Sequence, residues 1–193
     1  MSTLKIIVAS TRPGRIGEPI GAWVTRVARE HAGFDAVEVL DLAEIDLPLM
    51  NEPNHPRLRR YVHPHTLAWS AAVDSADAFV IVAPEYNYAM NAALKNALDY
   101  LSAEWAHKPV GLVTYGGASG GMRAAEMIKS VLTVLSMVPV NPAVALHMAR
   151  TQIVDGEFVP TDEDNQRLTT VLDQVVRYAA ALAPLRENAG VAG

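Results

Sequence analysis

Short β-branched runs alternate along this chain with segments of helical periodicity, from Leu4 through to Leu182, and that alternation restricts the fold more than any other feature. A strand, a helix and a second strand linked by a right-handed crossover place the strands in parallel, so the pattern specifies a parallel sheet with helices on both faces. Strands are predicted at Leu4 to Ala9, Asp35 to Asp41, Asp77 to Ala83, Pro109 to Tyr115 and Ala143 to Met148. Helices are predicted at Glu18 to Ala32, Thr66 to Ser75, Asn91 to Glu104, Gly121 to Met137 and Asp162 to Leu182. The usual order of five such strands in a doubly wound sheet is 2-1-3-4-5. Ligands then sit at the carboxyl ends of strands 1 and 3, where the order reverses, and the loops after strands 1, 3 and 4 become neighbours. The 193 residues, half of them apolar, are enough for one core, so 1–193 reads as a single domain. The tail from Pro184 to Gly193 is small and polar enough to fray.

Composition removes several function classes. Lys and Arg number 16 against 21 Asp and Glu, a formal net charge of -5 with no basic run, so neither nucleic acid nor an anionic membrane finds the positive face it requires. With no cysteine in the sequence, a disulfide, a thiolate-bound metal, an iron-sulfur cluster and a redox thiol are excluded, and any electron chemistry must come from a bound cofactor. The N-terminus enters its first strand at once, in an apolar run too short for a signal peptide or a membrane span. The expected location is the cytoplasm.

The three loops that the topology gathers are the unusual ones. The first, Ser10-Thr11-Arg12-Pro13-Gly14-Arg15-Ile16-Gly17, leads into a helix opened by Glu18-Pro19. Hydroxyls and backbone N–H groups there face the positive end of a helix, the outline of an anion site, and Arg12 and Arg15 add planar donors suited to phosphate oxygens. It is neither G-x-G-x-x-G nor G-x-x-x-x-G-K-[ST], which favours a single terminal phosphate over a pyrophosphate or a nucleoside triphosphate. From the residues alone, a capped turn with two solvated arginines fits as well. In the second loop, Pro84-Glu85-Tyr86-Asn87-Tyr88, Pro84 is expected to end the strand and Asn87 tolerates unusual backbone angles. Tyr86 and Tyr88 offer ring faces to a flat heteroaromatic ligand, or else pack on the core with a wet hydroxyl, and Glu85 either orients the loop or touches the ligand.

The third loop, Gly116-Gly117-Ala118-Ser119-Gly120-Gly121, satisfies G-x-S-x-G between a strand and a helix, the setting of a serine-hydrolase nucleophile elbow. The partners of such a Ser119 are missing: His147 is the only later histidine, Glu126 is the only acid between them, and no H-G-G-G segment supplies an oxyanion hole. Four glycines in six residues instead let backbone amides approach the edge of a planar ring, or make a flexible turn.

The segments PEYNYAMNAALKNALDYL, ASTRPGRIG and TYGGASGGMRA together resemble the NADPH-dependent FMN reductases of the flavodoxin-like superfamily, standing in that family's order and spacing between residues 4 and 148. The resemblance implies a flavodoxin-like three-layer α/β sandwich, FMN as cofactor and NADPH or NADH as electron donor. It implies that Ser10, Arg12, Arg15, Ile16 and Gly17 hold the FMN phosphate and that Pro84, Glu85, Tyr86, Asn87 and Tyr88 line the isoalloxazine. Gly116, Gly117, Ala118, Ser119, Gly120 and Gly121 would bring amides to the ring near N1, O2 or N5. Ala9 departs from the pattern, where many relatives have glycine. The implied reaction is ping-pong: the nicotinamide gives hydride to the flavin and leaves, and a small acceptor then takes the electrons, whether free flavin, a quinone, an azo compound or a metal oxyanion. Such chemistry needs positioning and electrostatics more than an acid or base of the protein's own. A flavodoxin-type electron carrier without NAD(P)H activity is the alternative on the same fold, and a serine hydrolase using Ser119 is another.

The helix Asn91 to Glu104 joins Ala92, Ala93 and Ala97 to Leu94, Leu98, Leu101 and Trp105, a face suited either to the sheet or to a second copy of the chain. The resemblance favours a homodimer and admits a homotetramer. The segment Pro48 to His65 is longer than a usual connection and reads as a lid or an interface arm, with Arg57, Arg59 and Arg60 either solvated or directed at a nicotinamide cofactor's 2′-phosphate. His63-Pro64-His65 resembles a metal pair, but no carboxylate or cysteine completes it. A receiver domain of the same topology needs carboxylates at the ends of strands 1 and 3, where this chain has Ala9-Ser10 and Ala83-Pro84.

Overall fold

The computed structural model describes residues 2–189, with side chains described as far as Arg186. Five β/α units follow one another. They are β1 (Thr3–Val8) with α1 (Gly17–His31), β2 (Ala36–Asp41) with α2 (Leu42–Ile45) and α3 (Pro64–Asp74), and β3 (Ala78–Tyr86) with the short β4 (Ala89–Met90) and α4 (Ala92–Asp99). Then come β5 (Pro109–Tyr115) with α5 (Met122–Val134), and β6 (Val138–Pro139) and β7 (Val144–Leu146) followed by the β8 (Ile153–Val154) and β9 (Glu157–Phe158) hairpin and α6 (Asp162–Ala189). The sheet runs β2-β1-β3-β5, with β6 and β7 both parallel to β5 along its outer edge and β4 folded back antiparallel on β3. This is the flavodoxin-like order 2-1-3-4-5, in which β7 falls within the predicted fifth strand and β6 precedes it, outside every predicted strand. Pro139 and Pro142 supply no N–H to a ladder, so pairing stops after Val110↔Pro139 and resumes at Val113↔Val144.

Alternation along the strands sorts the side chains into two cores. Ile7, Phe79, Ile81 and Leu112 face α3, α4 and α5 through Trp69, Leu94, Leu98 and Ile128, whereas Leu4, Ile6, Val80 and Val113 face α1 and α6 through Ile20, Val24, Leu168 and Val171. A central parallel sheet covered on both faces buries nearly every strand residue. Phe79 to Ala83 and Leu112 to Val113 are accordingly fully buried.

Three of the boundaries that differ from those predicted bear on the site or on assembly. Pro84 does not end β3: it pairs opposite Tyr115, and the strand continues to Tyr86. α4 stops at Asp99, and its stripe of Leu94, Ala97 and Leu98, with Leu101 and Trp105 beyond it, is buried in the core and not available to a second chain. α6 passes through Pro184 to Ala189, beyond its predicted end at Leu182. Its last turn is held by Arg186, which donates to the His107 carbonyl at 3.2 Å and to Asp77 at 3.2 Å. Residues 190–193 of the expected tail lie outside the described residues. Among the described residues, no helix is long and apolar enough to cross a membrane.

Candidate active site

Parallel strands send their carboxyl ends in one direction, so the loops leaving β1, β3, β5 and β7 meet. They enclose a cavity of about 260 Å³ walled by Ser10, Arg12, Arg15, Ile16, Pro84, Glu85, Tyr86, Gly116 and Gly117 from the predicted set. Gly14, Tyr115, Met148, Arg150 and Thr151 complete it.

At the β1 end, α1 begins without a side-chain cap from Ile16. Ile20 donates the first backbone bond, to Ile16 O at 3.3 Å, and Pro19 has no donor. The N–H groups of Gly17 and Glu18 are therefore without partners among the described residues, which makes this helix start receptive to an anion. Gly17 permits the approach: a methyl there would stand 2.5 Å from Tyr115 Oη and 3.2 Å from Ser10 Cβ. The Tyr115 hydroxyl is buried with no hydrogen-bond partner among the described residues, and burial pushes its pKa up. Ser10, itself buried, lies with Oγ 2.9 Å from Tyr86 Oη.

The two arginines of this loop differ. Arg15 grips both oxygens of Asp41, with Nη2 to Oδ2 at 2.6 Å, and donates to Ser10 O at 2.7 Å. Both side chains are nearly buried, and the Asp41 carboxylate holds the guanidinium's pKa up. Arg15 thus ties the loop to the end of β2. Arg12 is exposed, and no ion pair or hydrogen bond engages its side chain among the described residues.

The second loop is a two-residue hairpin. Tyr86 pairs with Ala89, and the central residues Asn87 (φ 49°) and Tyr88 (φ 70°) both sit in the left-handed region, as a type I′ turn demands. For a tyrosine that conformation costs about 1–2 kcal/mol. Tyr88 is 71% exposed, and the Arg123 guanidinium stacks on its ring 4.0 Å from the centroid.

Glu85 orients these loops. Its carboxylate accepts Ser119 Oγ at 2.8 Å, Arg123 N at 3.0 Å and Arg123 Nη1 at 3.2 Å, capping the start of α5 and joining the second loop to the third. Burial alone would raise its pKa, but the hydrogen bonds from Ser119 and from the backbone and side chain of Arg123 prevail and hold it below the usual carboxylate range. Ser119 is consequently held by a carboxylate, while His147 Nδ1 lies 2.8 Å from Ala118 O. The acid-histidine relay of a hydrolase is not assembled on Ser119.

The third loop turns sharply through Gly120 (φ 60°) and Gly121 (φ 86°). A methyl on Gly121 would meet Thr114 Cβ at 2.6 Å and Tyr115 N at 2.7 Å, whereas one on Gly117 would meet nothing within 4 Å. Gly117 and Ala118 are exposed, and their N–H groups have no partner among the described residues. Tyr88, Ala118 and Ser119 wall a neighbouring cavity of about 530 Å³ that shares Glu85 and Gly117 with the first. Gly17, Asn87, Gly120 and Gly121 shape the backbone without walling either cavity.

Sequence reasoning missed Tyr115, Asn91 and the segment after β7. Tyr115 reads as a strand residue, yet its position at the carboxyl end of β5 is the signal that could have found it. Asn91 donates from Nδ2 to Ala9 O at 2.6 Å, fastening the hairpin to the end of β1. Met148, Arg150 and Thr151 follow β7 at the same end of the sheet, and the topology points to them once the fifth strand is located.

A family model described as NADPH-dependent FMN reductase matches residues 3–151, most of the chain. The chain belongs to the NADPH-dependent FMN reductase family. An NAD(P)H-dependent FMN reductase of Schizosaccharomyces pombe is 37% identical over 165 residues, covering 84% of this chain and 82% of that one. An NADPH azoreductase of a Bacillus species is 32% identical over 194 residues, covering 97% and 99%. Among solved structures, FerB, a flavoenzyme NAD(P)H:(acceptor) oxidoreductase from Paracoccus denitrificans, superimposes with a TM-score of 0.72 at 20% identity over 94% of this chain and 98% of that one. At that identity the likeness speaks for the fold.

Proposed function

We propose that this member of the FMN reductase family is a single-domain cytoplasmic oxidoreductase that holds FMN, takes hydride from NADPH or NADH and passes electrons to a small-molecule acceptor. Quinones, azo compounds, free flavin and metal oxyanions are the acceptor classes. The observation that carries this reading is a cavity walled by exposed Arg12, the Tyr115 side chain and Gly117. Beside it lie an uncapped helix start and a tyrosine hydroxyl and glycine-loop amides without partners among the described residues.

When bound, FMN supplies the acceptance of hydride and its onward delivery as electrons. The N–H groups at the start of α1, with Ser10, Arg12 and the Tyr115 hydroxyl, would hold its phosphate, and each of these groups has bonding capacity that the fold leaves unused. Arg15 acts as a positioning residue, holding Ser10 and the loop in place through Asp41. Tyr86 and the amides of Gly117 and Ala118 would line the ring, and Glu85 fixes the two loops that carry them. Ser119, bound to Glu85, serves that alignment and not nucleophilic attack. The reductases and azoreductase among the relatives support turnover with a nicotinamide over simple electron carriage. We also read the chain as a homodimer, with a dimer of dimers open to it. Since the core takes the α4 stripe, exposed Leu49, Leu58, Val62 and Leu67 in and beside the 48–65 arm are the surface that supports pairing.

Titrating FMN into the purified apoprotein tests the cofactor assignment. One FMN binds per chain, and Arg12→Ala weakens it about 10- to 100-fold, the worth of a charge-assisted contact of about 1.5–3 kcal/mol. Unchanged affinity in that variant would put the phosphate elsewhere.

A further inference from the structure

The cavity does not close behind Arg15. Its walls at Gly14, Arg15, Ile16 and Arg150 are shared with a larger cleft of about 850 Å³ between α1 and the β8–β9 hairpin, a size typical of small-molecule sites. The floor of that cleft is the apolar edge of the core: Trp23 and Phe158, both nearly buried, pack with ring centroids 5.0 Å apart and planes tilted by 48°, and Trp23 is anchored from Nε1 to Asn165 Oδ1 at 2.8 Å. Pro19, Ala22, Trp23 and Arg26 recur at i, i+3, i+4 and i+7, so one face of α1 forms a whole side.

The rim carries two exposed guanidiniums, those of Arg26 and Arg150. Arg26 meets only Glu30, at 3.6 Å and in solvent, and Arg150 has no ion pair among the described residues. Two carboxylates, Glu18 and Glu157, share the rim, and Glu18 lies within 3.8 Å of Arg15. The arginines of the 48–65 segment, the first candidates in sequence for a 2′-phosphate, wall neither cavity, and Arg59 is engaged with Asp74 and Glu104.

An apolar wall, two exposed guanidiniums on one rim and a direct opening into the flavin cavity suit an organic group linked to phosphates. We propose that this cleft is the subsite for the adenosine-phosphate half of the nicotinamide donor, with Arg26 and Arg150 holding the 2′-phosphate that separates NADPH from NADH. The inference rests on the reductase reading of the adjoining cavity. Guanidiniums suit phosphate oxygens by geometry as well as charge, and Arg26 lies outside the flavin cavity, so it can be changed without touching the residues that would hold FMN.

Trp23 provides a reporter, since Trp69 and Trp105 are buried in the core on the opposite face of the sheet. With the FMN-loaded protein, 2′,5′-ADP is expected to alter tryptophan emission saturably and to compete with NADPH, the emission change being lost in Trp23→Phe. Arg26→Ala weakens 2′,5′-ADP about tenfold and raises the ratio of KM for NADPH to KM for NADH by a similar factor, as loss of one charge-assisted contact requires. Arg26→Glu moves the ratio further, and Arg29→Ala, which does not wall this cleft, leaves it alone. A KM ratio unmoved in both Arg26 variants overturns the inference. So does release of FMN by 2′,5′-ADP, or tighter binding of FAD than of FMN with the same Trp23 signal, which would assign the cleft to a flavin's adenylate. If wild-type protein is reduced by neither nucleotide, the reductase reading fails, and the subsite with it.

Discussion

Tyr115 buries a hydroxyl without a hydrogen-bond partner among the described residues, the Ser10 hydroxyl being its nearby polar neighbour, an arrangement that costs about 1–3 kcal/mol. Tyr115→Phe should therefore raise the stability of the apoprotein by up to that amount in urea unfolding, while weakening FMN about tenfold. A variant that binds FMN as well as the wild type would separate this hydroxyl from the phosphate. Glu85 makes the opposite prediction. Its folded pKa is depressed, so its contribution to stability is present above the unfolded value of about 4.3 and is lost as pH falls through the folded pKa. Glu85→Gln should cost about 1–3 kcal/mol at pH 7, with the gap to wild type narrowing below about pH 4. A gap constant across that range in pH-resolved urea unfolding would contradict the role given to the carboxylate. Backbone demands were legible in the sequence where they are local, as at Gly120 and Gly121, whose φ values of 60° and 86° suit glycine. Side-chain roles were not legible where a partner comes from afar: nothing in the first loop announces that Arg15 belongs to Asp41, or that Ser119 belongs to Glu85.

Among the elements, the strands and helices with strong periodicity were readable, and so was their order in the sheet. What escaped has particular causes. β4, β6, β8 and β9 are two residues each, too short for any alternation to register. The predicted helix beyond Asp99 followed an apolar period that Leu101 and Trp105 do satisfy. The backbone there instead leaves the helix and turns through Ala103–Trp105, because buried Glu104 takes hydrogen bonds from Tyr61 Oη at 2.9 Å and Ser70 Oγ at 2.7 Å. The hairpin after β3 was half legible, Asn87 marking the turn and Pro84 misplacing it. Tyr88→Gly tests why a tyrosine is kept at φ 70°. Relief of about 1–2 kcal/mol of strain offsets the loss of an exposed stack on Arg123 worth about 0.5–1 kcal/mol, so thermal stability should hold or rise slightly. Acceptor turnover should fall if the exposed ring serves the site. A variant that unfolds readily would mean that Tyr88 is there for structure.

At the scale of the whole molecule, a three-layer sandwich brings three sequence-distant loops to one end of the sheet, and that convergence makes the chain an enzyme candidate. The same surface accounting predicts assembly: light scattering at micromolar concentration should give at least a dimeric mass, and Leu58→Glu with Leu67→Glu should lower it. A monomeric wild type that binds FMN would leave the site the property of one chain. The central claim, that this cavity makes the protein a nicotinamide-driven flavin reductase, is tested most directly by adding NADPH to the FMN-loaded protein without oxygen and following the flavin's visible absorbance. The account predicts prompt bleaching, reversed when a quinone is added. Flavin that stays oxidised with both NADPH and NADH, or bleaches only when a separate reductase is supplied, would contradict it and leave an electron carrier on the same fold.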